Sequence, residues 1–397
     1  MPFTAIQPED FPWFDYGRYT FSLGLTHGED AYLSGHSASE YDPAEDRIVV
    51  KGGMAEQART AYRKIERILD AAGLALSDVV RLVENVTIAG IDHYAEAEAV
   101  RAEIFGDHQP AVNTVCVGRL LRRDAWIEIE VVAGPSSQQP LRFDTAGRPA
   151  WTPVREVADI VYLSTCLPLD ADGWLVGEGD MVAQTEQIYA NALERLERMG
   201  LGAENIAKTI DFISVDGLDQ YKATARVRKS VLQKPYPAAT GILMPRIAGH
   251  PGALLQVDIM ASRHELEAVN PGWSRYEQLT YTPALRGGDV LFLSGQAALD
   301  PETERAVHAG DVAAQAKYTY AGIAAVLEAA GTKLKNVVKT IEYVTPAGLP
   351  RYREVAKVRD KIFDEPFPAS TGIVCGGLLR PEFEFEVDAM ALLDGPA

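Results

Sequence analysis

The chain has 397 residues, 47% of them apolar, and its 38 basic against 56 acidic residues give a net charge of −18. That is enough apolar content for several packed cores, and the acidic balance argues against nucleic acid as a partner, because polyanion binding needs many Lys and Arg contacts to phosphate. No run approaches 18 apolar residues, no basic region followed by an apolar stretch opens the chain, and Cys116, Cys166 and Cys375 leave an odd thiol without metal-ligand spacing; the expectation is a cytoplasmic protein with no membrane partner and no metal.

Residues 1–20 carry Phe11, Trp13, Phe14, Tyr16 and Tyr19, which predicts an arm packed on the body. A strand at 31–33 leads to Ser34-Gly35-His36. A helix follows at about 54–72, where Ala58, Ala61, Ile65, Ile68 and Leu69 recur at helical spacing. Asp92 is a candidate N-cap for a second helix. Residues 134–140 read as a linker. A second unit runs from Trp151 to about Arg263, with Ser164-Thr165-Cys166 where the first has Ser-Gly-His. After a junction at 269–272, a third unit brings an extended run into Ser294-Gly295-Gln296. It continues with a helix at 311–330, a strand at 337–344, a helix at 349–363 and a closing strand at 383–392. In that strand Phe383, Phe385, Val387, Ala389 and Ala391 alternate with Glu384, Glu386 and Asp388, so the two sets face opposite ways.

The three units are copies. Gly73, Gly200 and Gly331 lie 127 and 131 positions apart, and Pro110, Pro237 and Pro368 keep the same intervals. So do Tyr94, Tyr221 and Tyr352, and Arg101, Arg228 and Arg359. Such a period is far longer than a solenoid repeat, so each copy is a domain, with divisions expected at 1–136, 137–267 and 268–397. Two amphipathic helices covering one face of a sheet make an α+β unit. Three units packed about a pseudo-threefold axis would bury the second faces and create three clefts between neighbours.

In its order of elements, its Ser-Gly-Gln, its Pro-Ala pairs and its Glu-Val-Asp-Ala-Met-Ala ending, the sequence resembles the RidA (YjgF/YER057c/UK114) family of enamine and imine deaminases, three times over. The resemblance implies chorismate-mutase-like α+β units, usually assembled as homotrimers with a site at each interface; one chain here would form a monomeric pseudo-trimer, with further self-association left open. It implies a carboxylate-clamping Arg after each Pro-Ala, where this chain has Val112, Ala239 and Ser370. The family glutamate matches Glu128 and Glu386 but Gln256 in the second unit. The early aromatic matches Phe21, Trp151 and Tyr281, and the family cysteine matches Thr114, Gly241 and Gly372.

The expected activity is cofactor-independent hydrolysis or deamination of an enamine, imine or related conjugated small molecule that is not a simple 2-imino acid. Glu386 and Glu128 would position water, and Tyr281 would assist proton transfer. Phe21, Trp151, His36, Gln296, Thr114, Ser370, Thr371, Gly372 and Arg359 would contact substrate. The alternatives are a binder without chemistry and a chorismatase-like ring hydrolase. Glu130, Asp258 and Asp388, acidic in every copy, read as structural; Arg101, Arg228 and Arg359 read as ion pairs or helix anchors. Thr240-Gly241 and Thr371-Gly372 are either backbone donors or a bulge. No nucleotide motif and no HxxxH or HxH pair is present, so no cofactor is expected.

Overall fold

A computed structural model describes residues 3–135 and 154–393. Each unit is one twisted mixed sheet with helices on one face. In unit 1 the strands Gly24–His27, Asp30–Leu33, Ile127–Ala133, Val79–Thr87 and Ala111–Val117 lie in that order. Only the last two are parallel, because a helix crosses over between them. Unit 2 repeats the path with Val154–Val157, Ile160–Leu163, Leu255–Ser262, Ile206–Ser214 and Ala238–Met244. Unit 3 does so with Ala284–Gly287, Val290–Leu293, Phe385–Leu392, Val337–Val344 and Ala369–Val374.

The helices are α1 (Met54–Ala71) and α2 (Tyr94–Phe105) in unit 1, then α3 (Met181–Glu197), α4 (Leu218–Tyr221) and α5 (Ala225–Val231) in unit 2. Unit 3 has α6 (Val312–Ala329) and α7 (Arg353–Ile362). The long helices α1, α3 and α6 are each followed by Gly73, Gly200 or Gly331, at φ of +75°, +71° and +75°. These left-handed positions close a helix, and a side chain there would be strained. Asp180 and Asp311 cap α3 and α6 through their carboxylates. Asp92 does not cap: it sits inside a 3-10 turn, Ile91–His93, and faces Arg246 at 3.7 Å.

Each sheet has two apolar faces. The helix side closes a separate core in each unit, around Ile65 in unit 1, Ile188 in unit 2 and Ile323 in unit 3. The other faces share one core, in which Leu25 and Val115 meet Ile210 and Ile242, and Phe292 and Ile341. This is an α+β pseudo-trimer in a single chain. Strand exchange reinforces it: Arg119–Leu120 of unit 1 pairs with the edge of the unit 3 sheet, and Gly377–Leu378 of unit 3 with the edge of the unit 2 sheet. Phe383 belongs to the shared core rather than to the helix face, because the closing strand starts only at Phe385 and the alternation fails before it.

Three ion pairs cross the shared core, each joining a cation on one unit's central strand to an acid on the next unit's closing strand. They are Arg81 with Asp258, Lys208 with Asp388 at 2.5 Å and Lys339 with Glu130 at 2.7 Å. All six groups are buried. The acids present in every copy are therefore the joints between units.

The aromatic arm packs as expected over residues 3–20. Thr4–Ala5 extends the unit 1 sheet, and Phe11 meets Trp13, Phe14 and Tyr16 edge to face. The strand Leu266–Val269 pairs with Ala284–Gly287 and straddles the division expected at 267/268. Of the linker, only Gly134 and Pro135 lie among the described residues, and Trp151 lies outside them.

Removing one partner from a buried pair leaves an uncompensated charge, whereas replacing both with apolar groups does not. Lys208→Met should therefore cost about 3–5 kcal/mol in urea denaturation, and the double variant Lys208→Met/Asp388→Leu should recover most of that loss. Equal stability of the single variant and the wild type would show that the pair does not hold the units together.

Candidate active site

The clefts form where the parallel edge strand of one unit meets the Ser-Gly or Ser-Thr turn of the next. The serine makes the same contact each time: Ser164, Ser294 and Ser34 accept from the backbone N–H of Val112, Ala239 and Ser370 at 2.9, 2.8 and 2.8 Å. That anchors the 1–2, 2–3 and 3–1 clefts in one geometry. The residue after the serine then divides them. At Gly295 and Gly35 a Cβ would fall 2.4 Å from an oxygen of Glu386 or Glu128. A side chain there would displace the carboxyl, so the glycine lets it pack directly on the turn.

In the 1–2 cleft both members have changed. Thr165 occupies the glycine position, its hydroxyl accepting from Thr114 N–H at 3.1 Å, and Gln256 replaces the glutamate, donating to Thr114 O at 2.8 Å. A threonine there leaves no space for the carboxyl seen in the other two clefts. Thr114 is further held by Tyr94, 2.7 Å between hydroxyls. This cleft is tied together by hydrogen bonds where the others keep an acid.

Glu128 and Glu386 are both buried, and each pKa is pushed up to about 8. Burial is the main cause in both, followed by the neighbouring Glu130 or Asp388; Lys64, Arg122 and Lys339 pull Glu128 back, and Lys208 does so for Glu386. Each is a mainly neutral carboxyl at pH 7, able to give a proton and recover it.

A cavity of about 800 Å³ fills the 2–3 cleft, lined by Tyr281, Gln296, Glu386, Arg228, Ala239 and Gly241 among others. One of about 360 Å³ occupies the 3–1 cleft, lined by Phe21, His36, Glu128, Arg359, Ser370 and Gly372 among others. Most of the residues proposed from the sequence thus gather in two places. His36 is buried, with Nε2 against Leu23 O at 3.1 Å; burial and then Lys64 lower its pKa to about 3, so it lines the cavity as a neutral ring. Tyr281 is raised chiefly by burial. Thr371 does not line the cavity: its hydroxyl accepts from Gly35 N–H at 3.0 Å and supports the turn instead. Thr114 belongs to the 1–2 cleft.

The Thr-Gly pairs are not bulges, since both strands pair in parallel without a register shift. Alternation along the strand aims the N–H of Gly241 the same way as that of Ala239, and that of Gly372 the same way as that of Ser370, toward the clefts. The equivalent donor in unit 1, Thr114 N–H, is the one taken by Thr165.

Arg101, Arg228 and Arg359 each pair with a buried carboxylate of their own unit: Glu84, Asp211 (3.0 Å) and Glu342 (2.7 Å). Tyr94, Tyr221 and Tyr352 donate to the same carboxylates. Arg359 therefore rims the 3–1 cavity with its charge engaged, and its Nε reaches Thr20 of the arm at 3.1 Å.

No cation stands at Val112, Ala239 or Ser370, but two arginines not singled out from the sequence reach the cavities. Arg275, from the 3-10 turn Ser274–Glu277, enters the 2–3 cavity over the Tyr276 ring at 5.1 Å, and its Nε has no hydrogen-bond partner among the described residues. Arg122 enters the 3–1 cavity and donates to Tyr19 Oη at 2.9 Å. Arg122 and Arg380 occupy the same repeat position, which was the available signal; Arg275, six residues before Tyr281, matches Asp15 and Thr145 in the other units and carried none.

Comparison with known proteins gives a consistent pattern. The family model described as Endoribonuclease L-PSP matches residues 16–134, 145–263 and 276–393. A RutC family protein of Pyrococcus horikoshii is 34% identical over 113 residues, 28% of this chain and 85% of that protein. A crystal structure of RidA from an Antarctic Psychrobacter is 29% identical, covering 29% of this chain and 89% of that one, with a TM-score of 0.27. A crystal structure of a chorismatase covers 79% of this chain and 93% of its own at 18% identity, with a TM-score of 0.53. That last likeness is one of fold. Among the described residues, no helix is long and apolar enough to cross a membrane.

The Glu386 carboxyl should leave a signature in stability. Below about pH 4.5, its ordinary value, it is neutral whether the chain is folded or unfolded. Between there and about 8 the unfolded chain ionises while the folded one keeps its proton, so stability falls as pH rises. Glu386→Gln removes this term. The melting temperature of the variant relative to wild type should climb from pH 5 to about pH 8 and then level off, and parallel curves would mean that the carboxyl titrates normally.

Proposed function

The chain belongs to the Endoribonuclease L-PSP family, and on that premise we propose that it is a cofactor-independent hydrolase which deaminates enamines, imines or related conjugated small molecules in its 2–3 and 3–1 clefts. The observation that carries the reading is the pair of inter-unit cavities in which a buried, mainly neutral glutamic acid packs on a glycine turn. The family description names an endoribonuclease, but a net charge of −18 disfavours a polyanionic substrate and favours a small one.

In the 2–3 cleft the neutral Glu386 protonates the enamine carbon. The C=C π pair forms the new C–H bond and the nitrogen lone pair closes an iminium. The resulting carboxylate then takes a proton from water as water adds to the iminium carbon, restoring the acid. Collapse of the carbinolamine, with its hydroxyl proton passing to nitrogen, breaks the C–N bond and yields a carbonyl product and ammonia. A group with its pKa near the working pH serves both proton transfers. The N–H of Gly241 faces the developing oxyanion, and Arg275 offers a substrate carboxylate the cation missing at Ala239. Glu128, Gly372 and Arg122 repeat the set in the 3–1 cleft.

A chorismatase-like hydrolysis is the second reading, favoured by the likeness of fold over 79% of the chain and by a cavity of about 800 Å³, ample for a ring. It would use the same acid.

Ammonia release should be assayed with a panel of enamines and imines that includes 2-iminopropionate, with chorismate hydrolysis followed in parallel. Wild type should turn over at least one compound. Glu128→Gln/Glu386→Gln should lose about 10²-fold or more, the range of a general acid–base group, while Gln256→Glu gains nothing. Compounds that raise the melting temperature without turnover would identify a binder and overturn the reading.

A further inference from the structure

The two open clefts carry the same acid but differ in volume, about 800 against about 360 Å³, and one stripe of one helix differs with them. On α6, Tyr318, Ala321, Gly322 and Ala325 fall on one face and line the 2–3 cavity. The interval of 258 between Gly73 and Gly331 places Thr60, Arg63, Lys64 and Arg67 at the same positions of unit 1. There Lys64 is fully buried: its ammonium donates to Ser37 O at 2.7 Å and to Ser39 O, and lies 5.2 Å from the Phe14 ring at the wall of the 3–1 cavity. Unit 2 fills the position with Asn191, whose amide donates to Leu167 O and Leu169 O at 3.1 and 2.8 Å. Only unit 3 leaves it empty. A Cβ built at Gly322 would meet nothing nearer than Gln296 Oε1 at 3.5 Å, so the glycine is not forced by crowding or by its backbone.

The space so freed has a definite chemistry. Trp273 and Tyr276 stack at 6.0 Å and Tyr276 meets Tyr281 edge to face at 5.4 Å, giving a wall of aromatic surface, with Leu279 and Leu379 beside it. Cations frame the rest: Lys222, Lys229, Arg275 and Arg380 line the cavity, and none has a carboxylate partner among the described residues. In a chain of charge −18 that is a local excess of the opposite sign. A cation cluster beside an aromatic wall suits an anion with a flat or apolar body.

We infer that the 2–3 cleft takes organic carboxylates bearing a bulky aromatic or apolar substituent, that Gly322 sets the size limit, and that the 3–1 cleft, occupied by Lys64 at the equivalent place, is confined to small ones. The inference rests on reading the clefts as small-molecule sites, as above, but not on the reaction performed there.

Binding to the full chain should be measured by calorimetry with phenylpyruvate and pyruvate as probes, beside thermal denaturation. Wild type should bind phenylpyruvate on the order of tenfold or more tighter than pyruvate, as expected when an apolar pocket receives a ring. Gly322→Leu should abolish that preference and leave pyruvate affinity within about twofold, because pyruvate does not reach the stripe. Ala325→Leu, one turn away, serves the same purpose should Gly322→Leu fail to fold. Arg275→Ala should weaken both probes at the 2–3 cleft by about tenfold, the low end for a charged hydrogen bond, and leave the pyruvate site of the 3–1 cleft unchanged. A wild type without preference, a preference that survives the leucine variants, or an Arg275→Ala chain that binds both probes as well as wild type would overturn the inference. Absence of ammonia release would sink the deaminase reading and leave the size limit standing, since turnover plays no part in this measurement.

Discussion

Six charged groups in the shared core determine how the three sheets meet. Arg81, Lys208 and Lys339 each lie beneath a neighbour's acid, and taking such ions out of water is favourable only if each finds its partner. Apolar contact alone would let the sheets slide over one another; a buried cation with one acceptable position does not. The register of the clefts follows from this. Asp388 lies two residues from Glu386, and Glu130 two residues from Glu128, so the strands that carry the joints also carry the acids, on the same face. The joint raises the pKa of the acid as well, since Glu130 and Asp388 stand next in importance after burial.

Much of this was legible in the sequence because it is periodic. The helix-closing glycines, the Pro-Ala pairs and the alternating final strand are local signals repeated three times, and each corresponds to an observed element. The division of labour among acids was legible too: unit 2 lost its glutamate and kept Asp258, which is what a group holding two units together should do. Errors fell where a local rule met a tertiary contact. Asp92 has the side chain of a cap but enters a 3-10 turn in which the Tyr94 N–H is taken by Ile91 O, and Phe383 follows the strand pattern but precedes the strand.

The site was harder, because a cleft between units is made of residues that share no local pattern. Thr371 has a hydroxyl in the right strand, yet that hydroxyl is spent on Gly35. Arg275 lies in the opening segment of unit 3, and the matching positions hold Asp15 and Thr145, so the repeat does not point to it. The exchange of Lys64, Asn191 and Gly322 was present in the alignment of the three copies, but its meaning depends on which wall of which cavity the helix face forms.

The three joints are not alike: one is Arg with Asp, one Lys with Asp and one Lys with Glu. In an assembly of identical subunits every joint must use the same pair, and any change of lock must be matched by the same change of key in all three places at once. Within one polypeptide each lock has its own key. A copy of unit 1 set in the place of unit 3 would bring a branched guanidinium to the longer Glu130 in a space shaped for an ammonium. The cyclic order of the units is thus written twice, once in the covalent chain and once in the lengths of its buried charges, and the second record would remain if the first were cut.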